Sequence, residues 1–516
     1  MPQILDRELP TTSPSGCRRG VHVAVSLVVA IAATVMLGVA VESPHSHESP
    51  SQVSPRQSRD EGAAGSLLAL HEPIAIVGNA GFTGSNASTG VVWGSGSEAD
   101  PYVISGWEIE AASADGISVK DTDVYFEIRD CYIHGGIGNY NAGIYLENCT
   151  HAIIRNNTCV DDWDGVYLSS CTGVIVAGNN CSYDNGGVIL SRSVNITLRN
   201  NTMWGNGISV TGYTLEECNS HDIDTSNTVN GLPILYYKDE TDVDVPTGEA
   251  GQVILANCTG FLVEGNVFKD ATAGVILLFS SDTTVRNNTC VNSVYGIIVW
   301  FSNGNRIFNN TVRNDALTDY WWGGVALVSS SFNEIVGNIC SDSSTGVVLF
   351  YHSNDNTVAD NVLAHNVNGI RLQSSDRNRI TRNAIHDNSM EGAFVVSSAG
   401  NIFWNNTFVR NNGATDTYDP SHNQALEAGM KNAWNDSQGY GNYWSDWTSP
   451  DVLPPLGRVD LPYEIGGLTD SVDNWPLTGY PAEPIPEFGF FPTAVATMVV
   501  TMLVAAAWRR QWPKPG

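Results

Sequence analysis

Positive charge is scarce in this chain. Lys and Arg together number 25 among 516 residues, against 54 Asp and Glu, so the formal charge is −29. Phosphate backbones would be repelled by such a surface, which excludes nucleic acid as a partner. Only five of the cations are lysines, and no Lys/Arg cluster shares a column with Asp, so the base and cation set of a polysaccharide lyase is not evident. No Cys-x-x-Cys pair occurs among the ten cysteines, which argues against a zinc ribbon. Long stretches of helical periodicity are missing as well. Fifty glycines, many asparagines and short apolar runs point instead to turns and strands.

What the chain does have is a repeated phrase. IRNNTCVDDWDGVYL (154–168) returns as VRNNTCVNSVYGIIV (285–299). Marking the second Asn or its equivalent gives Asn157, Asn179, Asn201, Asn266, Asn288, Asn310, Asn338, Asn361, Asn383 and Asn406. Most steps are 22 or 23 residues; one is 28 and holds the loop RNDALTDYWW (313–322), and one is 65, about three periods with an insertion near 214–250. An apolar residue stands three before each marker (Ile154, Val176, Leu198) and two after it (Cys159, Cys181, Met203), followed by Gly-apolar-x-apolar strands such as GVYL (165–168) and GIIV (296–299). Three short period-2 strands per 22 residues cannot form a helical repeat. They fit one coil of a right-handed parallel β-helix, an all-β solenoid whose like positions stack at about 4.8 Å per coil.

The marker Asn is expected to form an amide ladder and to tolerate the left-handed backbone of a corner. Gly is expected at a second corner for the same steric reason. The recurrent Cys fits the inner wall. In-register stacked side chains point the same way, which is poor disulfide geometry, so stacked buried thiols are expected.

Both ends are apolar. Residues 1–20 form a basic segment, expected in the cytoplasm, and 21–41 read as a signal peptide or a signal anchor. A disordered Ser/Pro/His-rich stalk follows over 42–71, then the solenoid over 72–415, a capping segment over 416–480 and a tail over 481–516 with an apolar span at 490–508. An apolar helix is therefore expected at each end. Basic flanks outside both spans would leave 42–489 on the outer face of a membrane. Sequons at Asn86, Asn148, Asn195, Asn257 and Asn435 are glycosylation candidates on such a surface.

With its coils the chain resembles the NosD-like right-handed β-helix proteins with carbohydrate-associated CASH-type repeats. Three phrases outside the repeat carry the resemblance too: the opening segment GSGSEADPYVISGWEIEAASADGISVKDTDVYFEIRDCYIHGG (94–136), the insertion DTSNTVNGLPILYYKDETDVDVPTGEAGQVILANCTG (224–260) and the closing GNYWSDWTSPD…DLPYEIGG…DNWPL (441–477). The resemblance implies an extracytoplasmic β-helix, archaeal members included, and a link to copper delivery. Copper carriers cluster Met, His or Cys. Here there are seven Met, and His221, His352, His365 and His386 share no tight spacing. Relatives carry an acidic calcium-like run in the closing segment, of which Asp451 and Asp460 remain. Copper or calcium is thus implied by resemblance only, and the residues themselves identify no cofactor and no metal site. PIPEFG (484–489), the apolar span and Arg509-Arg510 resemble the PEF-CTERM sorting tails that an archaeosortase exchanges for lipid.

Three functions follow. A surface protein could bind polysaccharide or glycan through turn residues Asp162, Trp163, Tyr183, Tyr320, Trp321 and Trp322, since aromatic faces beside carboxylates suit sugar rings. A carbohydrate lyase, hydrolase or epimerase would need paired groups, and Asp161 with Asp184 is the candidate pair. Asp419 and His422 in YDPSHNQ (418–424) lie close together but beyond the regular coils. A copper-binding accessory role follows from the resemblance. Glycan binding at the cell surface, membrane-anchored, is the favoured expectation.

Overall fold

A computed structural model describes residues 68–84, 86–313 and 323–480. The terminal apolar segments, residues 42–67 of the stalk, the sorting tail and Tyr320, Trp321 and Trp322 lie outside the described residues; the end of the expected stalk is ordered instead, since Ala69–Leu70 pairs as a strand with Trp107 and Glu108. Among those described, no helix is long and apolar enough to cross a membrane.

The chain winds into a parallel β-helix of about 13 turns. Each coil contributes one short strand to each of three sheets. The inner columns are those of the sequence pattern: Ile154 pairs in register with Val176, and Val176 with Leu198. Cys159 faces Cys181 in the same way. All these side chains are fully buried, each contributing on the order of 2 kcal/mol of transfer free energy. The nine described cysteines are buried free thiols.

The marker Asn residues form ladders. Asn157 Nδ2 donates to Asn179 Oδ1, and Asn179 Nδ2 to Asn201 Oδ1, each at 3.0 Å. A longer run passes from Asn288 through Asn310, Asn338, Asn361, Asn383 and Asn406 to Asn442. Asn266 joins this run through its backbone, its N–H donating to Asn288 Oδ1. The two duties expected of one Asn are divided between two. Asn156 takes the left-handed corner (φ 55°), and Asn157 stacks. The recurrent Gly has another role than expected. Gly165 is not left-handed; a Cβ there would stand 2.7 Å from Cys181 Cβ and 2.8 Å from Gly187 O. Glycine is demanded by the close approach of the next coil, not by a backbone angle.

The stack is not continuous. In the first half the three sheets end at strands Ile208–Thr211, Asp222–Ile223 and Thr228–Val229. The chain then reverses: Val229 pairs antiparallel with Leu232. Strand Leu232–Lys238 starts a second stack, so the third sheet of the first stack runs on into the first sheet of the second as one 17-stranded sheet. The first stack's open end is closed by the flank of the second. Ile254, Ile276 and Ile298 share a buried cluster with Met203 and Val229. The Gln252 amide accepts from Ile208 N at 2.9 Å and donates to Ile208 O at 2.8 Å.

The far end is closed by aromatics. Trp434 stacks on Phe403 at 4.2 Å, Trp444 on Phe408 at 4.3 Å, and Tyr463 on Trp444 at 4.0 Å. Buried carboxylates hold the indoles: Trp434 Nε1 donates to Glu427, and Trp444 Nε1 to Asp473.

Candidate functional site

The surface with most chemistry lies on the first stack. After each third-sheet strand the chain turns a corner. Left-handed residues there, Tyr140, Asp161 and Tyr183 (φ 60°, 58° and 64°), reverse the side-chain alternation. Aromatic side chains are thrown outward: Tyr140 is 65% exposed, Tyr183 63% and Trp204 45%. Trp163 meets the Tyr140 ring edge-on, centroids 4.5 Å apart. The Tyr183 N–H donates to Trp204 O at 2.7 Å, which fixes those two coils together.

The same reversal turns Asp162 and Asp184 inward. Both are buried, Asp184 at 4% exposure, so neither belongs to a surface ligand set, and Asp161 and Asp184 do not form a pair in an outer groove. Asp162 Oδ1 accepts from Gly136 N at 2.8 Å, and Asp184 Oδ1 accepts from Asp162 N at 2.9 Å. Burial pushes the Asp162 carboxyl up to about 7, against the pull of the Gly136 hydrogen bond and with the charges of Asp161 and Asp115 adding to it. Burial and then Asp115 raise Asp164 to about 8. Burial also pushes Asp184 well up. These acids are part of the wall.

Sequence reasoning missed the neighbouring cleft. Leu70 to Pro73, Trp107, Glu108, Glu110, Ala112, Ser113 and His134 line a cleft of about 920 Å³. Strand Trp107–Glu110 pairs with Tyr132–His134 so that Glu108 stands opposite Tyr132 and Glu110 opposite His134. Ile109 and Ile133 point into the core, so the Glu, Tyr and His face out. His134 Nε2 is 3.8 Å from Glu108 Oε1, and its ring stacks on Tyr132 at 4.9 Å. Trp107 Nε1 donates to Gly90 O at 2.8 Å, which holds the indole in place against the edge of His71. The period-2 alternation of WEIE (107–110) was the available signal, but these residues precede the regular phrase.

Cleft and aromatic edge are contiguous. Asn139 Nδ2 donates to Ala112 O, and Asn141 Nδ2 to Ala111 O, both at 2.7 Å. The turn bearing Tyr140 is thereby tied to the cleft wall. From the coil of Trp107 to that of Trp204 there are four register steps, through Glu108, Tyr132, Thr158, Asn180 and Thr202, an axial run of about 19 Å.

The implied metals find no fit. Among the described residues no group of three or more His, Cys, Asp or Glu is placed to hold an ion. Burial raises the thiols of Cys290 and Cys340 to about 12, far from thiolate. Asp451 and Asp460 close their loop by accepting from Gly457 N and Val452 N at 2.8 and 2.9 Å. Asp419 accepts from Ser421 N at 2.9 Å and lies 3.2 Å from His422 Nδ1 within one exposed turn. Asn148, Asn195 and Asn257 are exposed at left-handed corners, and Asn435 is half-buried.

Two family profiles match the chain. "Right handed beta helix region" matches residues 77–231, and "Periplasmic copper-binding protein (NosD)" matches 209–318 and 249–449. The chain is thus a parallel β-helix that is similar to the NosD proteins over residues 209–449. The two matches change over where the sheets change phase: the first covers the first stack, and the NosD match covers mostly the second. No curated protein matches significantly. Among solved structures, a mutant of the periplasmic alginate epimerase AlgG is 16% identical over 65% of this chain and 82% of that one, with a TM-score of 0.29. The Azotobacter vinelandii mannuronan C-5 epimerase AlgE6 A-module is 13% identical over 63% and 85%, TM-score 0.21. A tailspike mutant of E. coli bacteriophage HK620, in complex with a pentasaccharide, is 12% identical over 66% and 63%, TM-score 0.29.

Proposed function

We propose that this NosD-like protein works outside the cytoplasm, held at a membrane by its terminal apolar segments, and binds an extended glycan along the edge of its first stack. The observation that carries this reading is the continuity of cleft and aromatic edge. Tyr140, Trp163, Tyr183 and Trp204 follow the corners of successive coils, with Asp161 among them, and the outward Glu108 and Glu110 stand at the cleft end, about 19 Å along the axis from the coil of Trp204. Aromatic faces pack against the C–H groups of sugar rings, and carboxylates accept from hydroxyls. Rigid strands set the spacing, so little order has to be gained on binding.

The test is a glycan binding screen on the full-length protein in detergent, with products read by mass spectrometry in the same wells. Trp163→Ala with Tyr183→Ala is expected to weaken binding about tenfold or more, on the scale of one aromatic contact or two. Binding that persists unchanged in the double variant would remove this edge from the function. Shortened or unsaturated products would show an enzyme instead.

A further inference from the structure

Between Asp451 and Asp460 the chain reads VLPPLGRV. Val452 and Leu456 are each 73% exposed and Leu453 62%. Leu461, directly after the loop, is half exposed. One exposed leucine needs no account, but four large apolar side chains at one loop do. Their exposure is built in. Val452 N donates to Asp460 Oδ2 at 2.9 Å, Leu453 N to Asp460 Oδ1 at 3.2 Å and Gly457 N to Asp451 Oδ2 at 2.8 Å. These backbone donors are satisfied within the loop, and its apolar side chains are left on the outside.

The loop stands beside the exit of the tail. Val459 N donates to Pro476 O at 2.7 Å, and Thr478 N donates to Gly457 O at 3.2 Å. Residues 481–489 separate Tyr480 from the apolar span at 490–508. Fully extended, that segment reaches about 32 Å, so a bilayer that holds the span lies within that distance of Tyr480. Next to the loop the side chains change to those of a membrane–water boundary. Arg458 lies over the Tyr440 ring at 5.0 Å and the Trp475 ring at 5.6 Å, and both rings are partly exposed. Such rings and arginines settle at headgroup level. The formal charge of −29 offers anionic lipid no attraction, so attachment here rests on apolar burial.

Resting on the membrane-anchored reading above, we infer that the loop 451–460 is a membrane contact. Val452, Leu453 and Leu456, with Leu461, enter the acyl boundary of the outer leaflet, and Arg458, Tyr440 and Trp475 lie among the headgroups. The capped end of the second stack is then seated on the lipid rather than tethered above it.

The experiment places nitroxide labels, one at a time, on the full-length protein in phosphatidylcholine nanodiscs. Depth is read from accessibility to oxygen against a nickel chelate. The nine described cysteines are buried, so a Cys17→Ser background leaves the introduced thiol as the reactive one. Labels go to Leu456→Cys, to Thr501→Cys in the apolar span and to Phe332→Cys, an exposed position on the second stack. Circular dichroism confirms that each variant keeps its strands. Leu456 is expected about 5–10 Å below the headgroup boundary, with Thr501 in lipid and Phe332 in water. In Val452→Ser/Leu453→Ser/Leu456→Ser, a label at Leu461→Cys should return to water. A Leu461 label that stays in lipid there would show that the anchor alone sets the position, and would overturn the contact. Leu456 in water with Thr501 in lipid would overturn the contact and leave the anchor standing. Leu456 shielded from both relaxing agents would show protein over the loop, a second copy or the tail, and overturn it too. Leu456 in lipid with Thr501 in water would support the contact and sink the anchor alone. Both in water would sink the two together.

Discussion

The two stacks solve the same problem with different side chains. Each coil must satisfy polar backbone at an inner corner, away from water. In the later coils of the second stack the corner after the third strand is held by amides, with Ser293 and Ser343 in the same column of the earlier coils. Asn366 Nδ2 donates to Cys340 O and Asn388 Nδ2 to Leu363 O, while Asn411 Oδ1 accepts from Asn388. In the first stack the same column is Asp162, Asp184 and Asn206. An amide offers a donor and an acceptor, whereas an ionised carboxylate offers acceptors only. Asp162 Oδ1 takes its backbone bond, but its buried Oδ2, where an amide would carry N–H, has no partner. Only a protonated carboxyl can donate there. This corner of the first stack therefore depends on protons, and its amide-lined counterpart in the second does not.

The largest effect should come from breaking an amide rung in the second stack. Asn310 donates through Nδ2 to Asn338 Oδ1 and Val285 O, and accepts from Asn288 N and Nδ2. Asn310→Ala leaves several buried groups unpaired at once, a loss on the order of 3 kcal/mol. Urea titration at pH 5 and pH 8 should show the same loss at both. A loss that depends on pH, or one below about 1 kcal/mol, would mean that the amide ladder, which both stacks share, is not the pH-independent support against which the acidic corner of the first stack is compared.

Breaking the first stack should be a matter of pH. A carboxyl whose pKa is raised on folding contributes stability that is complete below its unfolded value near 3.9. That contribution is lost as pH rises through the folded value, here about 7 for Asp162 and about 8 for Asp164. Stability should fall between about pH 4 and pH 8 and then level off, by on the order of a few kcal/mol. Asp162→Asn with Asp184→Asn supplies permanent amides. The double variant should match the wild type near pH 4 and exceed it by about 2 kcal/mol at pH 8. An unchanged pH slope would place the sensitivity elsewhere, with Asp115 and Asp164 the next groups to change.

These contrasts were only partly legible in the sequence. The period of 22, the inner apolar columns and the marker Asn follow from side-chain alternation, which every coil obeys. The join between stacks was hidden because Asn227 is preceded by Ser226 rather than Asn, and its step from Asn201 is 26 residues. Asn227-Thr228-Val229 nevertheless keeps the Asn-Thr-apolar order of the phrase. The inward turn of Asp162 was missed because DDWD reads as a solvated turn. Its signal was the column itself: an acid one and two periods ahead of Asn206 occupies an interior rung. The cleft stayed hidden because residues 70–73, 107–113 and 134 come together only through coils that precede the repeated phrase.

The smallest effect sharpens the comparison from outside. Along the second stack, arginines reach back one coil to an acid: Arg377 to Asp355, Arg382 to Asp360 and Arg410 to Asp387, each at 2.7 Å. Such pairs bind coil to coil, as the ladders do, but in water, where desolvation is slight and salt screens the attraction. Arg377→Ala should therefore cost no more than about 1 kcal/mol, less again at high salt. All three contacts are bidentate, through Nε and Nη2 of the arginine to both carboxylate oxygens, so Arg377 stands for the set. A cost equal to that of Asn310→Ala would mean that the outer pairs, not the buried amides, hold the second stack in register. A cost near zero would assign its cohesion to the ladders and apolar columns alone, and the difference between the stacks would then come down to the chemistry of one interior corner.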